Sequence, residues 1–245
     1  MARILLFGGL TYWGSQLTDR LLAEGNEVIV PYHRYDEEAV ERSLLFGRNA
    51  LFKEIVLENT NKTEWVGQDL NPDVLILFDG VEHEETDLIV NPFTKCIAFM
   101  ESLQKVIVLS HIAIYGAEEG IIDEQAKLTP KTSLGERALQ LECSITSAIK
   151  KEETHTKSVL ILRIPALSDA ITPESNDCTL IDCIHIQDLI DAIQKGMMGT
   201  IEEGVHVIQV TSGKWFSVNG KRICYPYKKA ECLLGFKPKY RPVDE

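Results

Sequence analysis

The feature that most constrains this chain is a succession of short, largely apolar runs. They lie at Arg3–Phe7, Glu27–Val30, Leu51–Leu57, Val74–Phe78, Val106–Leu109 and Val159–Leu162, with helix-like or polar stretches between them. A strand with one wet face alternates apolar and polar residues, whereas a strand covered on both faces is apolar at consecutive positions. Runs of the second kind, spaced by the length of a crossover helix, imply an α/β fold with a doubly wound parallel sheet. The punctuation agrees. Leu17 and Leu21 lie one turn apart after Gly14-Ser15, and Gly25-Asn26 stops that helix before the second strand. Asp36 is placed to cap a helix beginning at Glu37, Thr63 another through Val66, and Thr132 or Ser133 a long one towards Lys150. Asn71-Pro72-Asp73 marks the turn into the fourth strand.

After about residue 165 the rhythm changes. A passage rich in Pro, Ser, Asp and Asn runs from Pro165 to Asp177, followed by an amphipathic segment from Asp188 to Met197 and a strand at Val205–Val210. Lys214–Val218 and Lys221–Cys224 then flank Asn219-Gly220, the dipeptide favoured where both residues of a hairpin turn need positive φ. Two domains are expected: residues 1–165, and a small C-terminal lobe of residues 166–245 partly interleaved with the first.

Composition narrows the function. The apolar share of 44% and charged share of 25% are those of an ordinary folded domain. No run approaches the roughly 18 apolar residues of a membrane span, and the glycine-broken opening is too short for a secretion signal, so a cytoplasmic protein with no membrane partner is expected. A net charge of −12 argues against nucleic acid as a partner. That charge is uneven, because residues 214–245 hold 8 Lys or Arg against 3 Asp or Glu. The basic tail either is solvated or packs back onto the acidic body, or it captures an anionic small molecule. The six cysteines include no Cys-x-x-Cys pair and read as reduced core thiols, with no metal site. His83, among Glu82, Glu84 and Glu85, reads as part of a solvated acidic loop.

Phe7-Gly8-Gly9-Leu10-Thr11-Tyr12-Trp13-Gly14 falls between the first strand and the first helix, where a dinucleotide fold turns backbone amides towards a pyrophosphate. Gly8, Thr11, Tyr12, Trp13 and Gly14 are therefore the candidate cofactor-binding residues of the loop. Here the chain resembles the extended short-chain dehydrogenase/reductases, the family of NAD(P)-dependent epimerases and dehydratases, whose loop reads Gly-x-x-Gly-x-x-Gly; Thr11 stands at the middle glycine. Further landmarks follow in the family's order: Asp73-Val74-Leu75-Ile76, Asn91 as the opening of the next helix, Ser110-His111-Ile112-Ala113-Ile114-Tyr115-Gly116, Pro130, Gly135-x6-Glu142, Ile184-His185-Ile186-Gln187-Asp188-Leu189 and Leu234-Gly235-Phe236-Lys237-Pro238. The resemblance implies a Rossmann-like fold, NAD or NADP as cofactor, a nucleotide-sugar type ligand and a homodimer formed through the helix at 132–150. After the second strand the chain has Tyr32, His33 and Arg34 and no acid before Asp36. Arg34 joins the cofactor-binding candidates, and the choice inclines to NADP, because a carboxylate there would grip an unphosphorylated ribose.

The family's chemistry needs a Tyr and a Lys one helical turn apart, the ammonium lowering the phenol's pKa towards neutrality. By resemblance those positions are Leu134 and Ala138, and the substrate-holding hydroxyl becomes His111. Leu134, Ala138, Leu141 and Ile145 instead read as one buried helix stripe. The expected protein binds a dinucleotide or nucleotide sugar and has lost Tyr/Lys redox catalysis. Two alternatives stand beside it. One is an active enzyme with relocated groups, His111 as base and Tyr115 or Arg137 steadying the substrate. The other is a non-enzymatic scaffold whose nucleotide site holds no cofactor. His185 and Asp188 read either as a dyad or as a structural contact and a cap-region acid.

Overall fold

The computed structural model describes residues 1–58, 70–81, 86–151, 158–169 and 182–240. The Thr63 helix, the His83 cluster, His155, Cys178 and most of the passage from Pro165 to Asp177 lie outside them. Two compact units are present, Met1–Leu109 with Cys143–Val159, and Ser110–Glu142 with Leu160–Glu245.

The first unit is built on β1 (Arg3–Phe7), β2 (Glu27–His33), β3 (Phe52–Leu57), β4 (Val74–Leu77) and β5 (Lys105–His111), in the order β3-β2-β1-β4-β5. Every pairing among these five is parallel, as expected of strands apolar at consecutive positions. Ile4, Leu5 and Leu6 on β1 and Leu75, Ile76 and Leu77 on β4 are fully buried. Among the described residues this unit holds the helices α1 (Tyr12–Ala23), α2 (Glu37–Phe46) and α3 (Thr86–Phe99), and from Cys143 on the later part of a fourth helix. Asp36 caps α2 as expected, its carboxylate accepting from the Ala39 amide at 3.0 Å, and Gly25 ends the α1 turn at φ +80°. Asn91, expected to open α3, lies inside it, because the helix begins at Thr86 and carries Pro92 in its interior.

α4 (Ser133–Lys151) is capped by Thr132, whose hydroxyl accepts from the Gly135 amide. Ala138, Leu141 and Ile145 are fully buried on it, whereas Leu134 is half-buried, one turn nearer the helix's wet end. β7 (Ser158–Ile164) starts in the first unit, where the Ser158 amide donates to the Gln104 carbonyl, and continues into the second, where the Val210 amide donates to Arg163 beside β10 (Gly204–Gln209).

The second unit also holds β6 (Gly120–Ile121), β8 (Ala166–Ser168), β9 (Cys183–His185), α5 (Ile186–Met198), β11 (Trp215–Val218), β12 (Lys221–Cys224) and α6 (Lys228–Leu234). β11 and β12 form the expected hairpin, with Asn219 and Gly220 at φ +50° and +76°, and β12 also pairs in parallel with β6. The basic tail reaches back to α5, where Lys239 pairs with Asp191 at 3.5 Å, while Lys237 pairs with Glu231 inside the tail itself. Of the cysteines expected in the core, Cys96, Cys183 and Cys224 are buried, but Cys143 and Cys232 lie on the outer faces of α4 and α6.

The His-x-x-Asp stretch is a clasp for that tail. His185 rather than Asp188 caps α5, its Nδ1 accepting from the Gln187 amide, and its ring stacks on Tyr240 at 4.1 Å. Asp188 is 1% exposed, and its two carboxylate oxygens accept the Lys239 and Tyr240 amides at 2.9 and 3.0 Å. Hydrogen bonds to a charged group contribute roughly 1.5–3 kcal/mol. Asp188→Ala should therefore cost about 2 to 4 kcal/mol in urea denaturation, with earlier proteolysis near Tyr240, and Asp188→Asn should cost less.

Candidate functional site

The glycine loop follows β1 where the strand order reverses, β2 on one side and β4 on the other, the switch point at which open α/β sheets bind ligands. Its geometry is closed on itself. Gly8 sits at φ +78°, its carbonyl accepting both the Thr11 amide (3.1 Å) and the Thr11 hydroxyl (2.8 Å). The same Thr11 oxygen accepts the Gly14 amide at 3.1 Å, which makes it the N-cap of α1. A side chain at Gly14 would strike the Gly8 carbonyl, and one at Gly8 would meet Asp79 at the end of β4. Thr11 at the middle-glycine position thus works as a helix cap.

Tyr12 is exposed, and Trp13, half-buried, meets its ring edge-on at 4.7 Å. Arg42, which the sequence reading did not single out, reaches from α2 to donate to the Leu10 carbonyl at 3.0 Å while pairing with Glu38. Arg34 is exposed beside Glu58, at 3.6 Å. At the end of β2 the Tyr32 hydroxyl donates to Glu54 of β3, so a carboxylate reaches this corner from the neighbouring strand. The residues present fit a dinucleotide through charge: the first turn of α1 is the positive end of a helix, although Thr11 already takes its Gly14 and Ser15 amides, and Arg42 on α2 and the exposed Arg34 just after β2 supply cations in the same unit.

The polar centre of the second unit is a buried network that begins where β5 ends. The Arg163 guanidinium grips Glu142 in a fork, Nε to Oε1 at 2.9 Å and Nη2 to Oε2 at 2.7 Å. Its Nη1 donates to the Tyr115 hydroxyl at 2.6 Å, which also accepts from Gln209 Nε2 at 2.8 Å. Ser110 donates to Glu142 at 2.6 Å. Tyr115 is 1% exposed, stacks with Tyr225, and has its phenol pKa raised by burial. Ser110 and Tyr115 are therefore spent inside the protein.

His111 opens a single 3₁₀ turn, Ile112–Tyr115. Its Nδ1 accepts the Ala113 amide at 3.0 Å, which places the ring proton on Nε2. Burial pushes its pKa down to about 4, so the ring is neutral at physiological pH. The first turn of α4 lies against the same segment, since a side chain at Gly135 would strike the Ala113 carbonyl. His111, Tyr115, Leu134 and Ala138 thus fall together in the second unit, while Gly8, Thr11, Tyr12, Trp13, Gly14 and Arg34 fall together in the first. Among the described residues no cluster of His, Cys, Asp or Glu is arranged to hold a metal ion, and no helix is long and apolar enough to cross a membrane.

The sequence matches no known family model and no curated protein. Its fold has solved counterparts. It is similar to the UDP-glucuronic acid 4-epimerase from Bacillus cereus in complex with NAD, with a TM-score of 0.74 and 18% identity over 97% of this chain and 94% of that one. Likewise, dTDP-glucose 4,6-dehydratase from Bacillus anthracis in complex with NAD gives a TM-score of 0.75 at 13% identity, over 98% and 92%. A functionally unknown conserved protein from Silicibacter pomeroyi gives 0.72 at 14%, over 99% and 95%. The chain therefore has the Rossmann-like α/β fold of nucleotide-sugar epimerases and dehydratases.

Removing one partner of a buried ion pair leaves the other charge without compensation, a cost of roughly 3–5 kcal/mol. Arg163→Met should show a loss of that size in chemical denaturation, and adding Glu142→Leu should recover much of it.

Proposed function

We propose that this protein binds a dinucleotide, and a nucleotide-sugar type ligand, on an epimerase/dehydratase scaffold that has given up Tyr/Lys hydride chemistry. The observation that carries the reading is the makeup of α4. This helix contains no tyrosine, and its only lysines, Lys150 and Lys151, are its last two residues. Where the resemblance puts a phenol and an ammonium, the helix has Leu134 and a fully buried Ala138. Neither side chain moves a proton.

The cofactor in this reading is NADP in preference to NAD, held by the first turn of α1 with Thr11 as its cap, and by Arg34, which would trade Glu58 for a 2′-phosphate. The bound cofactor would supply a hydride acceptor; the chain's own residues supply binding and orientation. Residues 1–165 form the dinucleotide-binding part and 166–245 the substrate lobe, and the protein is a cytoplasmic homodimer in this reading. A second reading makes the protein an active enzyme with His111 as base. The Ala113 bond disfavours it, because a base needs a bare nitrogen and the nitrogen left over already carries the proton. His111 is better suited to donate Nε2–H to a substrate hydroxyl or carbonyl oxygen.

Calorimetry with NADPH, NADH and UDP-glucuronic acid tests the binding. Heat is expected with a dinucleotide, more tightly with NADPH, and the nicotinamide absorbance should stay constant when the sugar nucleotide is added. No heat with either dinucleotide at millimolar concentration would remove the reading. Turnover abolished by His111→Ala but retained by His111→Gln, which keeps an N–H donor, would mark an active enzyme that uses this residue as a donor; loss in both would restore the base.

A further inference from the structure

Asp182, just before β9, takes no part in the site described above. It is 4% exposed. Its Oδ1 accepts the Ser212 hydroxyl at 2.6 Å, while Oδ2 is buried and has no hydrogen-bond partner among the described residues. Three parts of the second unit face this carboxyl: the Cys183 backbone at the start of β9, the Ser212 backbone and hydroxyl in the turn after β10, and the Cys224 thiol with the Tyr225 phenol at the end of β12. No cation faces it among the described residues, and the stretch 170–181 leading into it has Glu174, Asp177 and Cys178 as its titratable groups, with no Lys, Arg or His.

The same three parts are stitched to one another. The Ser212 hydroxyl, while donating to Asp182, accepts the Lys214 amide at 3.2 Å. Thr211 donates to the Tyr225 carbonyl at 2.6 Å, and the Cys224 thiol lies 3.5 Å from the Gly213 carbonyl. The carboxyl therefore sits at the seam of a small interlocked junction. A carboxylate there would be stripped of water without an opposite charge, which is costly, whereas the neutral acid is not.

We propose that Asp182 is a proton-linked latch: a neutral carboxylic acid while the junction of β9, the 211–213 turn and β12 is closed, whose ionisation as pH rises loosens that junction. This goes beyond the nucleotide-binding reading and does not depend on it. Burial raises the Asp182 pKa to about 7 against the opposing pull of the Ser212 hydroxyl and the two amides, in keeping with the geometry. The folded state then holds this proton more tightly than the unfolded chain. The contribution to stability is whole at pH values below the ordinary aspartate range, is lost as pH rises from there to about 7, and is level beyond. This is the reverse of an ion-paired aspartate.

The test compares the full-length wild type and Asp182→Asn by chemical denaturation at pH 5 and 8.5. The ratio of the variant's folding constant to that of the wild type should rise about a hundredfold between the two, because the amide cannot ionise. A ratio that does not change with pH would overturn the proposal. Should the variant fail to fold, carbon-13 NMR of the aspartate-labelled wild type decides: one carboxyl should titrate near neutrality, and higher still in Ser212→Ala, where a donor to the anion is gone. All aspartates titrating in the ordinary acidic range would refute the latch.

Discussion

A guanidinium and a carboxylate, both out of reach of water, determine how the second unit is put together. Arg163 comes from β7 and Glu142 from α4, and each is nearly fully buried. Neither could sit there alone. The three guanidinium nitrogens all have partners, two on Glu142 and one on Tyr115, while Ser110 donates a further bond to the Glu142 carboxylate and Gln209 one to the Tyr115 hydroxyl. Such a pair adds little net stability over well-packed apolar residues, since desolvation offsets most of the attraction. It does add directionality: a planar fork accepts a carboxylate in few orientations. The end of β5, the following 3₁₀ turn, α4, β7 and β10 are thereby fixed against one another by bonds that tolerate little sliding.

That arrangement has a chemical cost. The side chains best able to serve a ligand in this region, the Ser110 hydroxyl and the Tyr115 phenol, are occupied by the frame itself. What is left outward is the imidazole of His111, with one nitrogen tied to the turn it begins. In the first unit the economy is similar. Thr11 uses both its donor and its acceptor to close the glycine loop and start α1, so the loop is shaped without help from any ligand.

How much of this could be read from the residues follows from the range of the forces. Parallel strands, the Asp36 and Thr132 caps and the Asn219-Gly220 turn are local, each encoded within a few positions, and they lie where the sequence puts them. The Arg163–Glu142 pair joins residues 21 apart that only the folded chain brings together. One signal was present: Arg163 extends an apolar run of the doubly covered kind, and a charge there must find a partner. Asp188 looked like a helix-start acid because its position allows it, but His185 took that role and Asp188 turned to a tail 51 residues away. Cys143 and Cys232 were misjudged because cysteine's usual preference for the interior outweighed their positions on the wet sides of α4 and α6. Asp182 lies at the edge of a polar stretch in which nothing distinguishes a buried acid from a solvated one.

The clasp between Asp188 and the backbone of Lys239 and Tyr240 bears on how the chain is made. The acid is synthesised early and its two amide donors late, so at the ribosome the carboxylate of α5 stays unsatisfied until residue 240 has cleared the exit tunnel. Closure of this clasp therefore waits on residues made 51 and 52 positions after the acid, whereas the five parallel strands of the first unit have emerged by then.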